Sequence, residues 1–298
     1  MIAMNSKGGP TSGGCVDLHD PARPIDSKDT NMREATTLSA TDEDKESEEH
    51  HGGKNLTLRV DGVRKSFGDN QVLRGVSFDI HRHEVVTLLG PSGSGKSTLM
   101  RCINLLEQVD DGQIWLNGTD ISDPRINADR TRSRIGVVFQ QFNLFPHMDV
   151  LKNVTLGAIK VHGISKDDAQ ERAMTLLRRI GMEDKAHTYP DQLSGGQQQR
   201  VAIARSLMTE PELLLLDEIT SALDPMLVGE VLQMVQELKD QGTTILMATH
   251  EMQFAHDAAD RVILLQDGEI AENGTPQEVM HDSQNPRTRE FFSHFRGL

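Results

Sequence analysis

The chain has 298 residues, 36% of them hydrophobic, and a formal net charge of −14. That length suffices for one large core or two small ones, and the acidic balance offers no basic face of the kind phosphate backbones require, so no nucleic acid is expected as a partner. No apolar run reaches the ~18 residues a membrane span needs, no signal-like apolar segment follows MIAMNSKGGP, and Cys15 and Cys102 read as reduced thiols rather than a disulfide framework.

Residues 1–55 read as a disordered acidic tail. Residues 1–50 carry 11 Asp/Glu against 5 Lys/Arg and no aromatic side chain. His50 and His51 are expected to be solvated there rather than to bind metal. From Leu56 the punctuation becomes regular. Leu56–Val60, Val72–Ile80 and Glu84–Leu89 read as strands, the last running into a glycine loop. Ser97–Leu106 then reads as a helix. Asp111-Gly112 and Asn117-Gly118 bracket Ile114–Leu116 as hairpin turns around a short antiparallel strand. Ser165–Ile180, Gln198–Met208 and Val228–Gln241 have helical apolar spacing. Leu213–Leu216 and Thr243–Ala248 are unbroken apolar runs, the mark of strands covered on both faces. Arg261–Glu272 looks like a hairpin turning at Asp267-Gly268. Strands alternating with helices predict an α/β fold with a mostly parallel sheet and an antiparallel β-subdomain near its start.

Three strings carry chemistry. The first, Gly90-Pro91-Ser92-Gly93-Ser94-Gly95-Lys96-Ser97, matches G-x-x-x-x-G-K-[ST] in full and continues into Thr98. Its glycines let backbone N–H groups converge on one anion at a helix N-terminus. Lys96 is placed to reach the terminal phosphates of a nucleotide, and the Ser97 hydroxyl suits Mg²⁺. In the second, Asp217 closes an apolar strand, where an acid faces the metal of a P-loop enzyme. Glu218, one step further, is placed to deprotonate an attacking water. The third, Leu193-Ser194-Gly195-Gly196-Gln197, puts small residues at the start of another helix and so offers a second anion site.

That third string resembles the signature motif of the ATP-binding-cassette superfamily, and the resemblance covers about residues 56–298. It implies a P-loop NTPase fold with an inserted α-helical signature subdomain, about residues 141–200. ATP and Mg²⁺ are the implied cofactors. In the family each ATP is clamped between one copy's phosphate loop and the other copy's signature, so a homodimer is implied. Gln140 of VFQQ is similar to the glutamine that senses Mg²⁺ and the attacking water. Ser221-Ala222-Leu223-Asp224 is similar to the loop that crosses the dimer interface. His250 is similar to the histidine that contacts the γ-phosphate, and Phe67 to the aromatic that stacks on adenine. With Glu218, His250 and Gln140 as catalytic residues, the nucleotide contacts fall to Phe67, Gly90–Thr98, Ser194, Gly195, Gly196, Gln197 and Asp224, and the metal to Ser97, Gln140 and Asp217.

One departure is Ile219, which gives DEIT where the family usually has DEPT. Proline would stiffen that turn but contributes no reacting atom, so activity is expected to survive. Phe142-Asn143-Leu144-Phe145-Pro146-His147-Met148 reads either as a docking site for a membrane partner or as plain core packing. The strings VFQQFNLFPHMDVLKNV, HEMQFAHDAADRVILLQDGEI and NPRTREFFSHF resemble ATPases of bacterial polar amino-acid importers. That likeness implies an integral membrane permease as partner, an extracytoplasmic solute-binding protein working with it, and a position on the cytoplasmic face of the inner membrane. Two other classes stay open on sequence alone. One is a non-transport cassette acting on DNA or ribosomes, and the other is a scaffold that binds ATP without turnover.

Overall fold

In a computed structural model, which describes residues 55–295, the chain opens with an antiparallel hairpin of β1 (Leu56–Phe67) and β2 (Asn70–His81). The expected acidic tail, His50, His51 and Cys15 lie outside the described residues. β3 (Val85–Leu89) leads through the glycine loop into α1 (Lys96–Ile103). β4 (Asp111–Leu116) and β5 (Thr119–Asp120) then complete a four-stranded antiparallel sheet in the order β2-β1-β4-β5. The short helix α2 (Ala128–Arg132) precedes β6 (Ile135–Val138).

A helical segment follows, with α3 (Val150–Lys160), α4 (Lys166–Arg179) and α5 (Gly195–Leu207). Ser165 caps α4 by accepting from the Asp168 N–H. The chain then returns to the main sheet through β7 (Leu213–Asp217), α6 (Pro225–Asp240), β8 (Ile245–Ala248), α7 (Met252–Ala258), β9 (Arg261–Gln266) and β10 (Glu269–Gly274). It closes with α8 (Pro276–Met280) and α9 (Pro286–Ser293).

The main sheet has six strands in the order β10-β9-β3-β8-β7-β6, with all neighbouring pairs parallel except β9–β10. The unbroken apolar runs follow from its position. Because side chains alternate along a strand, Leu213 and Leu215 of β7 enter one core cluster, while Leu214 and Leu216 enter another on the opposite face. β8 divides in the same way, with Leu246 and Ala248 on the first face and Ile245 and Met247 on the second. The first cluster is closed by α1 and the antiparallel sheet, the second by α6 and part of α5. The helical segment has a third core of its own, built from Val150, Val154, Ala173, Leu177, Val201 and Ala204 among others.

Several boundaries differ from the sequence expectation. β1 runs on past Val60 to Phe67, because Asp61-Gly62 forms a register shift rather than an end. Asp111-Gly112 opens β4 instead of turning. There the two strands approach so closely that a Cβ on Gly112 would lie 2.5 Å from the Gly62 backbone. The Asn117-Gly118 turn is present, with both residues at positive φ (46° and 76°). α1 stops at Ile103, three residues short of the expected end, and Leu105 takes φ 60°. α5 starts at Gly195 and α6 at Pro225, each earlier than its apolar periodicity suggests.

Candidate active site

Parallel strands send their carboxyl ends to one edge of the sheet, and the crevice beyond that edge is where α/β folds bind ligands. Here that edge gathers the predicted residues. β3 delivers the glycine loop, β7 ends in Asp217 and is followed by Glu218, β8 is followed at two residues by His250, and β6 by Gln140. The register confirms their level, since Asp217 lies opposite Ala248, and Val138 opposite Leu216.

The loop is shaped by its first glycine. Gly90 has φ 148°, and a Cβ there would sit 2.0 Å from the Leu265 carbonyl oxygen, so no side chain fits. Lys96 folds back over the loop, donating from Nζ to the Gly90 carbonyl at 2.9 Å and to the Pro91 carbonyl at 3.1 Å. It also lies 3.9 Å from Glu218 Oε1. Burial lowers the Lys96 pKa, against the attraction of Glu218 and Asp217. Ser94 is buried and its hydroxyl has no hydrogen-bond partner among the described residues, so the loop holds a polar atom that an anionic ligand oxygen would satisfy. Pro91, Ser92 and Gly93 are exposed at the tip, and Ser97 and Thr98 are half-buried in the first turn of α1.

Ser97 Oγ donates to Asp217 Oδ1 at 3.1 Å. Burial raises the Asp217 pKa, and the Ser97 hydrogen bond opposes that rise. A hydroxyl and a carboxylate make a hard oxygen pair that suits Mg²⁺, an ion that takes few protein ligands and keeps waters and phosphate oxygens. No cluster of three or more His, Cys, Asp or Glu fit for a metal occurs among the described residues. Glu218 Oε1 lies 2.9 Å from His250 Nε2, accepting its hydrogen when that nitrogen is protonated, and Glu218 sits at φ 48°, a left-handed conformation unusual for a non-glycine residue. Such strain clusters at functional sites.

None of the other predicted residues hydrogen-bonds to this group among the described residues. Ser194 is the N-cap of α5 in a reciprocal box, its Oγ accepting from the Gln197 N–H at 3.3 Å while Gln197 Oε1 accepts from the Ser194 N–H at 3.0 Å. Gly195 and Gly196 supply the first two helical N–H groups. Asp224 is the N-cap of α6, accepting from the Met226 N–H at 3.0 Å. Phe67 is 48% exposed at the end of β1, with Lys65 Nζ 5.2 Å from its ring centroid. Its hairpin reaches the phosphate loop at Gly95, where an added Cβ would lie 2.8 Å from Leu73 Cδ2 and 3.1 Å from the Val72 carbonyl oxygen. Gln140 is exposed.

The segment 142–148 divides between its two readings. Leu144 packs against two of the cores, whereas Phe145 stays 39% exposed. A residue the sequence did not flag holds this segment: Arg205 of α5 donates to the Asn143 carbonyl at 2.7 Å and the Phe142 carbonyl at 3.3 Å. Burial lowers its pKa. No motif spacing marks Arg205, because its acceptors are main-chain atoms about sixty residues away.

A phosphate loop, an acid pair at a strand end and a capped second helix on this sheet define a P-loop ATPase cassette. The chain belongs to the ABC transporter family, whose model matches residues 73–221, and it is an ATP-hydrolysing enzyme. It is 47% identical over 237 residues to the glutamine transport ATP-binding protein GlnQ of Escherichia coli (strain K12), covering 80% of this chain and 99% of that protein. It is likewise 47% identical over 234 residues to the arginine transport ATP-binding protein ArtM of Bacillus subtilis (strain 168), covering 78% of this chain and 98% of that one. Among solved structures it resembles the ATP-binding cassette MJ0796, seen as a post-hydrolysis dimer bound to ADP and Pi. The TM-score is 0.67 at 35% identity, covering 74% of this chain and 99% of that one.

Proposed function

We propose that this chain is the ATPase subunit of a binding-protein-dependent importer of polar amino acids, working as a nucleotide-sandwich homodimer beneath a separate membrane permease. The observation that carries the chemistry is the convergence of Lys96, Ser97, Asp217, Glu218 and His250 at one sheet edge. The glycine loop and Lys96 bind and orient the phosphates, with Phe67 under the base. Glu218 takes the proton from the attacking water, and His250 holds Glu218 and contacts the γ-phosphate. Ser97, Asp217 and Gln140 would hold Mg²⁺, which when bound would supply positive charge to offset that of the phosphates. Ser194, Gly195, Gly196, Gln197 and Asp224 act on the nucleotide of the second copy.

The transport assignment draws on the names of the relatives, which are glutamine and arginine transport proteins, and on the absence among the described residues of any helix long and apolar enough to cross a membrane. The solute pathway then belongs to another chain, whose helix would dock at Phe142–Met148 on the cytoplasmic face of the inner membrane. On this reading residues 56–298 are the ATP-binding domain, with about 141–200 as its helical part.

Glu218→Gln tests the reading. It should keep ATP binding, lower phosphate release by about 10²–10⁴-fold, and leave an ATP-dependent dimer visible by light scattering. Hydrolysis at the parental rate would overturn the base assignment. Full-rate hydrolysis by a strict monomer would overturn the sandwich.

A further inference from the structure

Gln199 is 0% exposed, and neither its side-chain nitrogen nor its side-chain oxygen has a hydrogen-bond partner. It is the only glutamine or asparagine among the described residues with both amide atoms buried and unmet. Leaving two polar atoms in this condition is costly, and leucine or methionine of similar volume would fill the space without that cost.

Its place on α5 gives the orphaned amide a meaning. At 3.6 residues per turn, Gln199 lies about 40° around the helix from Gly195 and about 60° from Gly196, between the two. A Cβ on Gly195 would meet Leu223 at 3.5 Å and Phe142 at 3.6 Å, and one on Gly196 would meet Leu227 at 3.2 Å. The amide therefore sits one turn below the signature glycines, on the side facing the 140–144 loop and the loop that enters α6. The same three pieces carry groups proposed to act on nucleotide: Gln140, Ser194 with its glycines, and Asp224.

We infer that Gln199 is a positioning residue whose buried amide gains its hydrogen bonds only in the nucleotide-bound arrangement, from main-chain groups of the loop at Ala222–Leu223. It is thus unsatisfied at rest and biases the signature helix toward the ATP-bound state. A ligand shifts such an equilibrium only by contacts that differ between the two states, and an amide unmet in one and paired in the other is such a contact. This inference rests on the ATPase reading above.

The test is the thermal midpoint of the full chain and its Gln199→Leu and Gln199→Met variants, with and without Mg²⁺ and a non-hydrolysable ATP analogue, together with steady-state hydrolysis. Without nucleotide the variants should melt higher than the parent by about 2–4 °C or more. With nucleotide the order should reverse. KM for ATP should rise about tenfold with kcat little changed, the sign of an interaction made on binding and kept in the transition state. Equal shifts in both states, or a lower midpoint without nucleotide, would show a merely structural glutamine and overturn the inference while leaving the ATPase reading intact. A parent whose midpoint ignores the analogue would overturn both.

Discussion

Ile219 stands where the family usually has proline, beside the proposed general base, and its role is separable from the chemistry. The side chain is 0% exposed and belongs to the core cluster of Leu216, Val231, Met247 and Phe254. Its main-chain neighbours are already anchored, with the Glu218 N–H donating to the Ala248 carbonyl at 2.9 Å and the Ser221 N–H to the Glu218 carbonyl at 3.1 Å. Ile219→Ala deletes three buried carbons, and such truncations cost about 2–5 kcal/mol. For a folded unit of this size each kcal/mol moves the midpoint by about 2–4 °C, so the loss should be about 4–20 °C. Calorimetry of the nucleotide-free chain gives the midpoint, and phosphate release measured well below it gives turnover. The reasoning requires a large fall in midpoint with kcat within about threefold of the parent, because the residue supplies no reacting atom. Ile219→Pro should likewise hydrolyse ATP within about threefold. An unchanged midpoint with a strong loss of kcat would refute it, since Ile219 would then act on Glu218 rather than on the core.

Asp217 is ionised at a cost, as burial raises its pKa above the ordinary 3.8. A carboxyl with a raised folded pKa favours the folded state when protonated, so its penalty grows as pH rises above 3.8 and is complete above the folded value. Asp217→Asn should therefore melt higher than the parent at pH 8, with the gap narrowing toward pH 4, while Mg²⁺-dependent hydrolysis is lost. A variant that melts lower than the parent at pH 8 would contradict this. Ser194→Ala removes the N-cap of α5, worth about 0.5–2 kcal/mol, and should lower the midpoint modestly. If Ser194 also contacts the second copy's nucleotide, its hydrolysis rate will fall by more than the Ser165→Ala cap variant loses through stability alone, Ser165 being the cap of α4 and outside the proposed site.

The parts of this molecule that sequence exposes are those with a single cause. The phosphate loop is legible because a lysine and a hydroxyl follow glycine only where an anion is gripped, and β3, β7 and β8 because strands buried on both faces need apolar residues at every position. What escaped has two causes acting together. Asp61-Gly62 and Asp111-Gly112 carry turn chemistry, yet they serve a bulge where two backbones press together, and no local pattern distinguishes the two uses. β6 is four residues long, too short for periodicity to declare it, although Gln140 follows it by two residues at the carboxyl edge of the sheet. Arg205 and Gln199 sit on a helix whose apolar pattern was readable, but their partners, or lack of them, come from segments distant in sequence.

Four unfavourable features of the fold meet at the carboxyl edge of the sheet. Lys96 and Asp217 are charged groups held in burial, the Ser94 hydroxyl is unmet, and Glu218 is left-handed without being glycine. Each costs folding stability, and the buried charges and the unmet hydroxyl would be relieved by phosphate oxygens and a divalent cation. A ligand that binds only the folded chain returns that stability as RT ln(1 + [L]/Kd), about 2.7 kcal/mol at a hundredfold excess over Kd. The rest of the sheet, with its strand interiors fully covered on both faces, supplies the surplus that lets this edge remain strained until nucleotide arrives.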